Sequence, residues 1–266
     1  MQDIKIWAAL SLSLLIPAPQ VEARQIDDLY VARAIVTGQG EKNRQPGFRD
    51  CLERVLIRVS GDQRLPKNPG YERLRASAGG YVSSFSYRDR LAGKAIHDEQ
   101  GTYDRPHDLI CRYDLAVINN VLAKLGSRPW LEKRPTLAVF LDVQPNGSPY
   151  RVSPVDPRDL AMRESFALGA EPMAMEVRFP AQGDIDAWAL GPAAHELSER
   201  AEAVGADLPL VGRLMWSDAD LGWVATWRLS AGGMEQRWTV RGVNFDEAFR
   251  VAVRGVAQIR SGNGSP

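Results

Sequence analysis

Residues 48–61 read FRDCLERVLIRVSG, and this stretch decides the fold of the first half of the chain. At helical spacing its apolar side chains fall on one face and its charged side chains fall on the other. The apolar face comprises Phe48, Cys51, Leu52, Val55, Leu56 and Val59. Because Pro46 precedes the stretch and Gly61 follows it, the pattern predicts an amphipathic helix that packs against a sheet in a globular protein.

The composition is that of an ordinary globular protein. The chain has 266 residues, of which 44% are hydrophobic and 25% charged, and its formal net charge is +0. Such a length is enough for one or two domains with real cores. The balanced charge argues against nucleic acid as a partner, because no global positive field would attract it.

The first residues predict export. Residues 6–16 form an apolar run that is too short to span a bilayer, which takes about 20 apolar residues. Pro17 and Pro19 end the run, and Val21-Glu22-Ala23 offers small residues around a cleavage site. We therefore predict a cleavable signal peptide over residues 1–23, a periplasmic location and no transmembrane helix after cleavage. An uncleaved anchor or a buried first helix is the alternative.

The remaining pattern predicts two small layered lobes of mixed sheet covered by helices, an α+β or α/β fold. The first lobe, residues 24–127, reads β-α-α-β-β-α, with its last two strands antiparallel. A connector rich in Pro and Arg leads to the second lobe, residues 134–260, which reads β-α-β-α-β-β-β-α and ends in antiparallel strands. Residues 261–266 are predicted to be a flexible tail.

The chain has two cysteines, Cys51 and Cys111. Cys51 lies on the apolar face of the predicted helix, and strand alternation places Cys111 with Leu109 and Tyr113, so both can point into one core. In an oxidising compartment they can form a disulfide worth about 4 kcal/mol in the chain-entropy model. Two buried thiols that pack as small apolar groups are the alternative.

The last three predicted strands have two contrasting faces. One face carries Arg213, Arg228, Arg237 and Arg241. These arginines are a candidate surface for an anionic ligand or for a partner's carboxylates, and a simple solvated face is the alternative. The other face carries Trp223, Trp227 and Trp238. It either stacks on a glycan such as peptidoglycan or, as we expect, packs beneath the last helix as core.

One polar loop concentrates chemistry that can bind a metal. Residues 97–108 contain His97 and His107 together with four carboxylates. Histidine and carboxylate bind divalent metals, but the spacing fits no known metal motif, so a solvated hairpin loop is the expected reading. No catalytic, cofactor or metal residue is therefore predicted, and no nucleophile elbow or phosphate-binding loop is present in the sequence.

Several segments resemble a known family. These are residues 51–62, residues 81–88, the Arg128-Pro129-Trp130 connector with Arg134-Pro135, and residues 205–207 with 211–214. Together they are similar to the bacterial envelope proteins catalogued as domain of unknown function 2066 (DUF2066). The resemblance spans roughly residues 28–216 and implies an uncharacterised envelope protein with no established activity or cofactor.

The function predicted from the sequence is a non-catalytic periplasmic protein that binds an envelope protein or a cell-wall component. Two alternatives belong to other classes. One is a metal-dependent or other envelope hydrolase that uses residues 97–108, and the other is a glycan-binding module that uses the tryptophan face. We expect no cofactor and no nucleic-acid partner.

Overall fold

The structure, a computed structural model, describes residues 29–93, 105–181, 183, 186–188, 192–231 and 234–266. Within these residues it contains six α-helices and two sheets of three and six strands. The predicted α+β class is therefore confirmed. The predicted signal peptide, residues 1–23, lies outside the described residues. No helix of the described chain is both long enough and apolar enough to cross a membrane.

The first lobe consists of a three-stranded antiparallel sheet covered on one face by a long helix. Its elements are β1 (Val31–Thr37), α1 (Glu41–Ser60), α2 (Tyr71–Ala76), β2 (Val82–Asp89), β3 (Pro106–Tyr113) and α3 (Leu115–Lys124). The strand order is β1-β3-β2, and the predicted antiparallel pairing of the last two strands is confirmed. The stripe of α1 supplies much of the core: Phe48, Cys51, Leu52, Val55, Leu56 and Val59 are all buried.

Helix α1 is longer than its apolar stripe predicted. It begins at Glu41, after Gly40, so that Pro46 lies inside the helix and not at its entry. The sequence pattern placed the boundary at the proline because proline has no N–H to donate to the preceding turn. The predicted end is confirmed: Gly61 adopts the left-handed conformation, with φ 72°, and its N–H bonds to the carbonyl of Ile57.

A disulfide joins the helix to the sheet of the first lobe. Cys51 of α1 and Cys111 of β3 are bonded, with their Cα atoms 6.3 Å apart. Both residues are fully buried. Of the two alternatives that the sequence left open, the structure therefore has the bonded one.

The second lobe is a mixed sheet with helices on both faces. Its elements are β4 (Thr136–Gln144), β5 (Tyr150–Arg151), α4 (Leu160–Ala170), β6 (Glu176–Arg178), α5 (Pro192–Ala203), β7 (Leu208–Ser217), β8 (Gly222–Ala231), β9 (Met234–Val243) and α6 (Phe245–Arg260). The strand order is β5-β4-β7-β8-β9, with β6 also pairing with β4. Strands β4, β6 and β7 are parallel, whereas β7, β8 and β9 are antiparallel.

The two faces of the second sheet have separate cores. Helices α4 and α6 cover the face that carries Leu141, Trp227 and Trp238, and helix α5 covers the opposite face at Ala138, Phe140 and Val211. The predicted cap of α6 is present, because the side chain of Asn244 accepts a hydrogen bond of 2.8 Å from the N–H of Glu247. Strand β5 was not predicted, since two residues carry no periodic signal.

A buried arginine connects the two lobes. Arg134 is 4% exposed, and its guanidinium donates to the carbonyls of Trp130, Glu132, Arg58 and Val59. The same guanidinium lies 3.8 Å from the centroid of the Trp130 ring. The connector is therefore held against the end of α1 by a cation whose two terminal nitrogens donate to backbone oxygens.

Candidate anion-binding face

A row of polar side chains crosses the second sheet on the face opposite α4 and α6. Five residues are register partners from strand to strand, in the order Arg151, Asp142, Arg213, Thr226 and Thr239. We call these five residues the polar row. Side chains of register partners project to the same face of a sheet. The row lies near the carboxyl ends of parallel strands β4 and β7, where open α/β sheets commonly bind ligands.

Trp188 lies over the arginines of this face. The centroid of its ring is 4.5 Å from the guanidinium carbon of Arg213, 5.6 Å from that of Arg228 and 5.9 Å from that of Arg237. The backbone N–H of Trp188 donates to the carboxylate of Asp186 at 3.0 Å. An indole face attracts guanidinium cations, so this side chain gathers three of the four predicted arginines around one ring.

Arg228 has a structural role within this cluster. Its side chain is 6% exposed, and its guanidinium donates to the carbonyls of Ala187 and Trp188 and contacts the carboxylate of Glu235. Burial lowers the pKa of Arg228, and the nearby Glu235 carboxylate opposes that shift. The residue thus holds the chain at residues 187–188 against the sheet and is not accessible to a large ligand.

Arg237 and Arg241 lie at the surface in ion pairs within the chain. Arg237 contacts the carboxylate of Glu235 at 3.0 Å, and Arg241 contacts both oxygens of Asp220, at 3.1 and 2.8 Å. More than half of each arginine side chain is exposed. Exposed pairs of this kind contribute about 0–1 kcal/mol, so a ligand carboxylate can exchange with the internal partner at little cost.

Arg213 differs from the other three arginines. Its side chain is half-buried, and within the described residues its guanidinium has no hydrogen bond or ion pair. It stacks on Trp188 and acts on the carboxylate of Asp142 through its charge. Its buried Nε atom is one of the polar atoms for which the described chain provides no acceptor. Leaving such a buried donor unpaired costs about 1–3 kcal/mol.

Asp142 is the carboxylate of the polar row. Its Oδ1 atom lies 3.4 Å from Nε of Arg151, and burial raises the pKa of its carboxyl group. The positive charges of Arg151 and Arg213 act to lower that pKa, and the negative charge of Asp186 acts to raise it. Asp142 is therefore an acidic group in which ionisation is opposed by desolvation and supported by two neighbouring arginines.

The loop suggested for a metal lies partly outside the described residues, which omit His97 and the acidic residues that follow it. His107 is described and is buried. Its Nδ1 atom lies 2.7 Å from the carbonyl of Arg105, and its Nε2 atom lies 3.0 Å from the Gln39 amide nitrogen. A carbonyl only accepts, so Nδ1 carries the proton and Nε2 accepts from Gln39. Both ring nitrogens are thus in use.

The other groups that can ligate a metal are also engaged or dispersed. Asp108 is buried and pairs with Arg88 at 2.6 Å and with Arg90 at 3.7 Å. His195 lies exposed on α5 and pairs with Glu199 at 3.2 Å. Among the described residues there is no group of three or more histidine, cysteine or acidic side chains that could hold a metal ion.

The tryptophan face is mainly core. Trp227 is fully buried and Trp238 is 7% exposed, and both pack in the cluster beneath α4 and α6. Trp223 is partly buried and makes an edge contact with the ring of Trp216, whose exposed fraction is 38%. Among the described tryptophans of this face, only Trp216 and Trp223, at the rim of the sheet, present an indole to solvent, so the face does not form the broad stacking platform that a glycan requires.

Sequence reasoning found the arginines but missed Trp188, Asp142 and Arg151. Trp188 follows a stretch without periodicity, so nothing in the sequence placed it over the sheet. Asp142 did carry a signal, because it is the only charged residue in the apolar run at 136–143. A carboxylate inside a strand that is covered on both faces requires a partner, and that requirement pointed towards basic residues on neighbouring strands.

Comparison with known proteins gives one match. The model of a family described as a domain of unknown function (DUF8605) matches residues 23–131. The expected relation to DUF2066 is therefore wrong, because the matching family is a different one. The described part of the matched segment contains β1 to α3, the whole of the first lobe. No curated protein and no solved structure matches the chain.

Proposed function

We propose that the chain is a non-catalytic periplasmic protein that binds an anionic group of an envelope partner or component at the polar row. The observation that carries the proposal is the guanidinium of Arg213, which stacks on Trp188 and lacks a polar partner among the described residues. A guanidinium fixed in orientation by a ring recognises carboxylate or phosphate through two parallel hydrogen bonds.

The chemistry of the polar row suits binding better than catalysis. Arg151 and Arg213 supply guanidinium donors, and the hydroxyls of Thr226 and Thr239 lie 3.2 Å apart on neighbouring strands. Such groups donate hydrogen bonds to an anion. The carboxylate of Asp142 lies between these two arginines in the row and offsets part of their positive charge.

An extracytoplasmic location is part of the same proposal. The export pattern of residues 1–23 supports it, and so does the Cys51–Cys111 bond, since such bonds persist mainly in oxidising compartments. The partner is then an envelope protein with exposed carboxylates, or an envelope component that carries carboxylate or phosphate.

A binding assay with a matched control tests the proposed site. Purified protein is titrated with inorganic phosphate and, separately, with vesicles of anionic and of zwitterionic lipid. We expect Arg213→Gln to weaken anion binding about tenfold or more, because a hydrogen-bonded charge contributes about 1.5–3 kcal/mol. Arg254→Gln removes an equal charge from the exposed face of α6 and should change binding less than twofold.

In-cell crosslinking identifies the partner. A photoreactive amino acid at Thr226, in the middle of the polar row, should capture a defined partner that Arg213→Gln abolishes. The same amino acid at Asp50, on the exposed side of α1, is the control position. If Arg213→Gln and Arg254→Gln weaken anion binding equally, or if both crosslinking positions capture the same products, the polar row is not the binding site.

A further inference from the structure

A groove runs between the two lobes, away from the polar row. One cavity of 200 Å³ is lined by β1, α1 and residues 171–172, and a second of 580 Å³ is lined by residues 174–178 and the end of α4. Arg58 and Glu171 line both cavities. The two cavities therefore adjoin at these two side chains, and we refer to them together as the groove.

The wall of the groove on the first lobe is the free edge of a sheet. Among the described strands, β1 is outermost in its sheet and pairs only with β3. The carbonyl of Arg33 accepts a hydrogen bond of 2.8 Å from Nη1 of Arg54, and the carbonyl of Val31 accepts one of 3.2 Å from Nη1 of Arg58. These carbonyls point away from β3, so the backbone groups of alternate residues of β1 face the groove.

The arginines of α1 change what this edge can bind. Their guanidinium groups occupy the outward carbonyls, which are the acceptors that an added neutral strand would need. What remains towards the groove is a set of donors and positive charges. The edge is therefore poorly suited to simple strand addition and well suited to acceptor groups with negative charge.

The charge of the smaller cavity is complementary to an acidic ligand, whereas the larger cavity is balanced, with Arg58 and Arg178 against Glu171 and Glu176. Arg33, Arg54 and Arg58 line the smaller cavity, opposed there by one carboxylate, that of Glu171. The guanidinium of Arg33 is exposed and has no partner within the described residues. Arg134 adds a buried positive charge near the end of α1. Burial, together with repulsion from Arg58, lowers the pKa of Arg134 to about 10.

A second sheet edge lies at the other end of the groove. Strand β6 pairs with β4, and its residues Glu176, Val177 and Arg178 line the larger cavity. Two edge strands from different lobes thus border one groove. An extended chain fits such a channel better than a compact ligand does, because a strand borders the channel on each lobe.

We propose that this groove binds an extended acidic segment of a partner polypeptide, whose carboxylates pair with Arg33, Arg54 and Arg58. Alternate side chains of an extended segment point to the same side, so acidic residues two apart would face the arginines of β1 and α1. This site lies apart from the polar row and does not depend on it.

The test uses a labelled peptide of about eight residues in which glutamate and valine alternate, followed by fluorescence anisotropy with the full chain. We expect binding that weakens as salt is raised, because the exposed part of the groove is screened by ions. Arg33→Gln should weaken binding about fivefold, and Arg33→Gln with Arg54→Gln should weaken it further. The matching peptide of lysine and valine should not bind.

Two control variants make the result decisive. Arg73→Gln removes an exposed charge on α2, and Arg213→Gln removes the centre of the polar row, so both should bind the peptide like the wild-type chain. Weaker peptide binding in Arg33→Gln, with both control variants binding like the wild-type chain, supports the groove. Absence of peptide binding, equal weakening by Arg33→Gln and Arg73→Gln, or competition by free glutamate at the affinity of the peptide would overturn the proposal.

Discussion

Gln258 of the last helix accepts a hydrogen bond of 2.8 Å from the backbone N–H of Gln63, which lies 195 residues earlier in the chain. The side chain of Gln258 also donates to the carbonyl of Asn263 at 2.7 Å, and Asn263 in turn donates to the carbonyl of Ser60 at 3.0 Å. Gln258 is 1% exposed. A single buried amide thus connects the last helix, the end of α1 and residue 263 of the tail predicted to be flexible.

Replacement of Gln258 by alanine should lower the free energy of unfolding by about 1–3 kcal/mol. The reason is that the N–H of Gln63 loses its partner at a buried junction, and the carbonyl of Asn263 loses one of its two side-chain donors, the other being Arg64. Urea denaturation followed by circular dichroism measures the change. Gln236→Ala is the control, because Gln236 accepts only a surface bond from Ser265, and we expect a change below about 0.5 kcal/mol. Equal losses in the two variants would contradict the role given to Gln258.

This junction illustrates which part of the fold the sequence could predict. The stripe of α1 and the cap at Asn244 are local patterns, and the structure has both. The bond between Gln258 and Gln63 depends on how two lobes meet, and no periodicity reports that. Pro46 misled the prediction of the start of α1 because the missing hydrogen bond of a proline is a tendency that tertiary packing can override.

Reduction of the Cys51–Cys111 bond should lower the free energy of unfolding by about 4 kcal/mol. The two residues are 60 positions apart, and the estimate is the loop-closure entropy that the bond removes from the unfolded chain. Guanidinium titrations with and without reductant measure the difference. The double variant Cys51→Ala with Cys111→Ala should unfold at the same guanidinium concentration with and without reductant. A wild-type midpoint that is the same in both conditions would contradict the assigned stabilisation.

The candidate site was predictable only in its arginines. Strand alternation placed Arg213, Arg228 and Arg237 on one face, and the register of β7, β8 and β9 has them there. Alternation could not distinguish a buried arginine that binds carbonyls, such as Arg228, from a stacked one that lacks a polar partner, such as Arg213. That distinction depends on Trp188, which reaches the sheet from an irregular segment.

Two helical glycines should respond to alanine with opposite signs. A Cβ on Gly255 of α6 would lie 2.4 Å from Trp238, whereas a Cβ on Gly169 of α4 would meet only ordinary contacts at 3.5 Å. Alanine favours a helix over glycine by about 1 kcal/mol, so Gly169→Ala should stabilise the protein by up to that amount. Gly255→Ala should destabilise it by about 1–3 kcal/mol because Trp238 must move.

Thermal unfolding monitored by tryptophan fluorescence measures both glycine variants. In Gly255→Ala the emission of the folded state should also change, since the indole of Trp238 donates to the carbonyl of Val251 at 3.3 Å and would be displaced. Gly169→Ala should leave the emission unaltered. A stabilised Gly255→Ala would mean that α6 lies further from the sheet than the structure places it.

Asp142 should make anion binding at the polar row depend on pH. Burial raises the pKa of its carboxyl group, and Arg151, Arg213 and Asp186 are the charged groups that act on it. An ionised Asp142 competes with a bound anion for Arg213, and a protonated one does not. Affinity for sulfate, which keeps its charge over this range, should therefore rise as the pH falls through the titration of Asp142.

Asp142→Asn tests this dependence. The variant should bind sulfate about fivefold more tightly than the wild-type chain at neutral pH, and its affinity should no longer rise on acidification.

A raised pKa in the folded state also means that the contribution of Asp142 to stability is present below its unfolded pKa and is lost as the pH rises through the folded value. Asp142→Asn should therefore be more stable than the wild-type chain at neutral pH. The control Asp50→Asn, on the exposed face of α1, should change neither property, and weaker sulfate binding in Asp142→Asn would show that the carboxylate positions Arg213 instead of competing for it.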